Sequence, residues 1–145
     1  MSEYPKQAKT IETPEHQENG QAKRILIVED DRLCMTLLSD FLNVHGYKVL
    51  KTSEGLDAIN LARDEQPDLI LMDIKLPDIS GFDVTRLLKR DKKTKAIPII
   101  AVTAFATSGD EIGALESGCA AYIPKPISFD KLLRTVESYL PPSSL

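Results

Sequence analysis

Short, unbroken apolar runs alternate along this chain with longer stretches in which apolar residues recur every three or four positions. Ile25-Leu26-Ile27-Val28, Leu69-Ile70-Leu71-Met72 and the stretch from Ile97 to Val102 are of strand length and show no polar alternation. Such runs predict strands covered on both faces, as in a parallel sheet. Tyr47 to Thr52 and Ala121-Tyr122-Ile123 predict two further, weaker strands. Between them, Leu33, Leu37, Leu38, Phe41 and Leu42 share a helical spacing. So do Leu56 and Ile59, then Val84, Leu87 and Leu88, and finally Leu132, Leu133, Val136, Tyr139 and Leu140. A shorter, less apolar helix is expected at about 109–116. Asp31, Ser53 and Ser128 precede helical stretches as N-caps, and Gly46 and Gly118 follow helices where a left-handed residue fits. Strand and helix thus alternate from end to end. The expected fold is α/β: a doubly wound, five-stranded parallel sheet flanked by five helices.

The pattern begins only after a polar stretch. Residues 1–22 are rich in Glu, Gln, Lys, Thr and Pro without periodicity, and predict a disordered tail. One domain is expected over 23–140, with a short tail at 141–145 after Pro141-Pro142 stops the last helix. Composition adds limits. The 145 residues are 42% hydrophobic and 28% charged, an ordinary globular balance. A formal charge of −4 argues against a nucleic-acid-binding surface and, with no clear apolar patch, toward a monomer. No apolar run approaches the ~18 residues of a membrane span, and the first residues lack the apolar core of a secretion signal, so none is expected. Cys34 and Cys119 have no metal-site spacing and are expected as reduced thiols, so a cytoplasmic location is expected.

The candidate chemistry sits at the strand ends. The first strand runs into Glu29-Asp30-Asp31, the third ends on Asp73, the fourth on Thr103, and the fifth is followed by Lys125. In an open α/β sheet these carboxyl ends share one edge, where such folds place their sites. Bare carboxylates gathered there would repel, raising at least one pKa. A hard divalent cation, most simply Mg²⁺, is the expected remedy, held by Asp30, Asp73 and, through water, Glu29. Asp73 could then act as a nucleophile toward phosphorus and form an acyl phosphate. Lys125 would add a cation and Thr103 a hydrogen bond to a phosphoryl oxygen.

With Val28-Glu29-Asp30-Asp31, Leu71-Met72-Asp73-Ile74-Lys75-Leu76-Pro77, Ala101-Val102-Thr103-Ala104 and Pro124-Lys125-Pro126 in this order, the chain resembles the receiver domain of bacterial response regulators. The resemblance covers about 23–140 and implies the flavodoxin-like arrangement of receivers such as CheY. Pro67 to Ile74, Ala101 to Ala106 and Lys125 to Ser128 look especially similar to DivK-type single-domain regulators of bacterial cell-cycle and polarity control. The resemblance implies that Asp73 accepts a phosphoryl group from a histidine kinase, and that the backbone carbonyl of Lys75 joins Glu29, Asp30 and Asp73 around Mg²⁺. It also implies a switch pair, Thr103 and Tyr122, that alters the face made by the fourth helix, fifth strand and fifth helix. Downstream signalling proteins would bind that face. Lys75 and Phe105 fall where receivers tune hydrolysis, and Phe105 would shield the acyl phosphate from water, giving a long-lived phosphoprotein. A cis Lys125-Pro126 bond is expected as well.

Such a protein is not an enzyme in the usual sense; it assists its own phosphorylation and slow dephosphorylation. The alternative within the family is a phosphorelay intermediate or phosphate sink that passes the group to a phosphotransfer protein. An aspartyl-nucleophile phosphatase would need an acid two residues after Asp73, where Lys75 stands. A flavodoxin-like cofactor binder would need the loop after the first strand to cradle phosphate, which Glu29-Asp30-Asp31 would repel.

Overall fold

A computed structural model describes residues 22–104 and 108–141. The expected tails, apart from Ala22 and Pro141, and Phe105 lie outside the described residues. The chain alternates β1 (Arg24–Val28), α1 (Arg32–Val44), β2 (Lys48–Thr52), α2 (Gly55–Glu65), β3 (Leu69–Asp73), α3 (Gly81–Arg90), β4 (Ile99–Thr103), α4 (Ser108–Ser117), β5 (Ala121–Pro124) and α5 (Phe129–Tyr139). All pairings are parallel, in the order β2-β1-β3-β4-β5. This is the doubly wound, five-stranded sheet the apolar runs require.

Those runs are continuous because both faces of the sheet are covered. Successive side chains of a strand point to opposite faces. Ile25, Ile27, Leu69, Leu71, Ile100 and Ile123 pack with Leu38 and Leu42 of α1 and Leu132 and Val136 of α5. Leu26, Val28, Ile70, Met72, Ile99 and Ala101 pack on the other side with Ala58, Ala62, Val84, Leu88 and Ala114 of α2, α3 and α4. Each fully buried Leu or Ile contributes about 1.5–3 kcal/mol of transfer free energy.

The helices bury narrower stripes than their spacing predicts. Leu33 and Leu37 of α1 are 68% and 48% exposed, while Leu38 and Leu42 are buried. The helix carries apolar residues on two adjoining stripes, and the sheet takes only the one that Cys34, Met35 and Phe41 flank. Leu56 and Leu87 likewise face outward. Asp31 and Ser128 cap α1 and α5 as expected, accepting from the amides of Cys34 and Lys131. Ser53 does not cap α2. The N-cap position is Glu54, without a side-chain bond, and the carboxylate of Asp78 takes the first two amides of the helix instead. Gly46 and Gly118, with φ of 91° and 110°, close α1 and α4 in the left-handed region. Gln66 closes α2 there too. The charged loop after α3 is not wholly solvated: Thr94 is fully buried and its hydroxyl donates to the Leu88 carbonyl at 2.6 Å.

Candidate phosphoacceptor and metal site

The strand order makes the site. From β1 the chain turns one way to β2, and later the other way to β3, β4 and β5, which leaves a crevice at the carboxyl ends of β1 and β3. Val28 pairs with Met72, so Glu29 and Asp73 leave the sheet side by side. Asp73 pairs with Val102 and Thr103 with Pro124, which brings Thr103 and Lys125 to the same edge. The Lys125 amide donates to the Thr103 carbonyl at 2.7 Å, and the Lys125–Pro126 bond is cis.

Carboxylate oxygens of Glu29, Asp30 and Asp73 lie within 4.8 Å of one another. Glu29 and Asp73 are 3% and 5% exposed, whereas Asp30 faces solvent. The Lys125 ammonium lies 2.8 Å from Glu29 Oε1 and 3.7 Å from Asp73 Oδ2. The other Glu29 oxygen accepts from the Asp31 amide at 3.0 Å, and Asp73 Oδ1 accepts from the Lys75 amide at 3.1 Å. Two buried acids thus share one amine, with Asp30 beside them. Burial, and then the charge of Glu29, push the Asp73 carboxyl up to about 7 against the pull of Lys125 and the Lys75 amide. Burial works against the charge on Lys125, but the hydrogen bond it donates to Glu29 and the charges of Asp73 and Glu29 outweigh it and raise its pKa. Oxygen-only donors, partly buried and short of positive charge, fit a hard divalent cation such as Mg²⁺. When bound, that ion would neutralise charge on the acids and on an incoming phosphoryl group.

Thr103 is fully buried, and its hydroxyl donates to Asp110 Oδ2 in the first turn of α4 at 3.3 Å. Tyr122, half-buried on β5, packs against the core beneath α2, α3 and α4. Its phenol is held above its ordinary value by burial and then by the charges of Asp110 and Glu111. Asp110 therefore neighbours both residues of the expected switch pair. Nothing in the sequence singles it out beyond an acid in a helical first turn. Lys75 is exposed just past Asp73. The cysteines are free thiols, and burial followed by the charge of Glu29 pushes Cys34 up to about 12.

Residues 25–137 match the response regulator receiver domain, and the chain belongs to that family. Its fold is that of solved receivers. The receiver domain of a sensor histidine kinase from Pseudomonas aeruginosa superposes with a TM-score of 0.77 at 33% identity, over 82% of this chain and 98% of that one. That structure has a magnesium ion coordinated in its active-site cleft. A response regulator from Chloroflexus aurantiacus gives 0.80 at 28% identity, over 83% and 98%. Within the family the chain is DivK-like: it is 51% identical over 118 residues to the polar-differentiation response regulator DivK of Brucella ovis, covering 81% of this chain and 96% of that protein. DivK of Brucella abortus is equally similar. No helix among the described residues is long and apolar enough to cross a membrane.

Proposed function

We propose that this chain is a phosphorylation-controlled interaction module whose phosphoacceptor is Asp73. A carboxylate oxygen of Asp73 attacks the phosphorus of a kinase phosphohistidine. The P–N bond breaks, the imidazole leaves with a proton, and an aspartyl phosphate remains on β3. Glu29, Asp30, Asp73 and the Lys75 carbonyl would hold Mg²⁺. Lys125 would shift from Asp73 toward a phosphoryl oxygen, and Thr103 would exchange Asp110 for another. Tyr122 would then turn inward, and the face made by α4, β5 and α5 would change its protein partners. The chain has no turnover of its own beyond slow loss of the phosphoryl group. Its likeness to DivK supports a role in cell-cycle and polarity control, and its reduced thiols and negative charge support a cytoplasmic monomer.

The observation that carries this reading is a buried carboxyl, Asp73, within 4.8 Å of two more acids and 3.7 Å from a lysine ammonium. Incubation with acetyl phosphate and Mg²⁺ should add one phosphoryl group by intact mass, and chelation should prevent it. A folded chain that gains nothing from acetyl phosphate or from a histidine kinase overturns the reading. The decay of the phosphoprotein tests the tuning positions: Phe105→Ala combined with Lys75→Asn should shorten its lifetime several-fold, and an unchanged rate would remove that role from both residues.

A further inference from the structure

We propose that Asp78 is a positioning residue for the metal and phosphoacceptor site, acting through the β3–α3 loop without touching either ligand. This rests on the reading above, in which the Lys75 carbonyl helps to hold a divalent cation.

Lys75 lies in the loop formed by residues 74–80, and the loop is fixed at both ends. The Ile74 amide donates to the Val102 carbonyl at 3.1 Å, and the Gly81 amide returns to the Ile74 carbonyl at 2.9 Å. A Cβ on Gly81 would stand 2.8 Å from the Ile74 Cα, so the return is this tight only because residue 81 is glycine. Between those ends Lys75, Pro77, Asp78 and Ser80 are exposed, and exposure alone would leave the loop free to move. Asp78 removes that freedom. Its two carboxylate oxygens accept from the amides of Gly55 and Leu56, each at 2.9 Å. These are the first two amides of α2, which lack partners within their own helix. The amide bonds also hold the Asp78 carboxyl below the usual carboxylate range. The contact continues as packing. A Cβ on Gly55 would meet Ile79 Cγ2 at 2.5 Å and Val84 Cγ2 at 2.7 Å, so α2 starts with the one residue that lets the loop seat.

The start of α2 is tied in turn to the acid cluster. The Glu54 amide donates to Thr52 Oγ1 at 3.2 Å, and the Thr52 carbonyl accepts from the Glu29 amide at 3.0 Å. Contacts therefore lead from Asp78 to Gly55, along the chain to Glu54, and through Thr52 to the backbone of Glu29. The same carboxylate fixes the Lys75 loop and references it to Glu29, so donors from β1 and β3 keep their spacing before a cation arrives. Outer residues that orient ligands are commonly worth 10–100-fold in metal affinity. Asp78 acts through a loop, and its loss should cost about 3- to 10-fold. Coupling is reciprocal, so a cation at Lys75 should slow hydrogen exchange at the amides of Gly55 and Leu56.

The test is a Mg²⁺ titration of the ¹⁵N-labelled full chain, followed at the Lys75 amide. Asp78→Ala should raise the Kd about 3- to 10-fold and abolish the Mg²⁺-dependent protection of Gly55 and Leu56. Asp57→Ala, which removes another acid from the first turn of α2, should leave the Kd within about twofold. Should Asp78→Ala fail to fold, Asp78→Asn takes its place. Its amide can accept one of the two bonds but opposes the other N–H with a donor, so its Kd should also rise. A wild-type Kd in the folded variant, or an equal rise in Asp57→Ala, overturns the proposal alone. If the wild-type chain shows no Mg²⁺ response at Lys75, the metal reading fails and this proposal with it.

Discussion

Asp73→Asn is expected to take no phosphoryl group from acetyl phosphate and, with divalent cations chelated, to be more stable than the wild type at pH 8. The first effect follows from chemistry, because a carboxamide is no substitute for the attacking carboxylate. The second follows from burial. In the folded chain the Asp73 carboxyl is pushed up to about 7, first by desolvation and then by Glu29, whereas its ordinary value is 3.8. Between those values the folded state holds a proton that the unfolded state has released. Stability from this group therefore falls as pH rises from about 4 to about 7, and the full penalty persists above that window. It amounts to a few kcal/mol, on the order of 1.4 kcal/mol per pH unit. Asn carries no charge to desolvate and can donate its N–H to Glu29. In thermal melts with chelator, the variant should gain most over the wild type at pH 8 and least at pH 5. Mg²⁺ should narrow the gap by stabilising the wild type. A variant less stable than the wild type at pH 8 would contradict the strained acid cluster.

What the sequence discloses of this site divides by the range of the interactions. Strand runs, strand ends and local caps are written within a few residues. Val28 runs directly into Glu29 and Asp30, and Met72 into Asp73, so the sheet edge and its acids are legible. Asp31 and Ser128 cap helices three residues away and are legible for the same reason. Asp78 caps α2 from 22 and 23 residues away, and the locally plausible Ser53 is the wrong residue. The choice between the two apolar stripes of α1 depends on how the helix docks on the sheet, which spacing alone does not encode. Leu33 and Leu37 are therefore expected inward and found outward. The bond from Thr103 to Asp110 depends on where α4 sits, and its apolar pattern is the weakest of the helices. Lys125 was legible by its place after a strand, but its partner Glu29 is 96 residues away and only the fold pairs them.

Lys125→Ala is the complementary experiment, and it is expected to destabilise the chelated protein by about 2–4 kcal/mol at pH 8. The ammonium lies 2.8 Å from Glu29 Oε1 and 3.7 Å from Asp73 Oδ2, and both acids are almost wholly buried. Removing one partner of a buried pair leaves an uncompensated charge, which typically costs about 3–5 kcal/mol. Two features lower that figure here. The amine is 21% exposed, so water already screens part of the attraction. Asp73 can also take up a proton, because losing Lys125 removes one of the two influences that pull its pKa down. The destabilisation should therefore shrink between pH 8 and pH 5 in urea unfolding with chelator. Mg²⁺ should stabilise Lys125→Ala more than the wild type, because the cation then supplies charge the amine no longer does. Asp73→Asn placed on top of Lys125→Ala should restore stability by more than Asp73→Asn adds to the wild type, as expected for groups in one network. If the two changes are additive, Lys125 serves Glu29 alone, and the phosphoacceptor carboxyl owes its charge state to the metal rather than to the lysine.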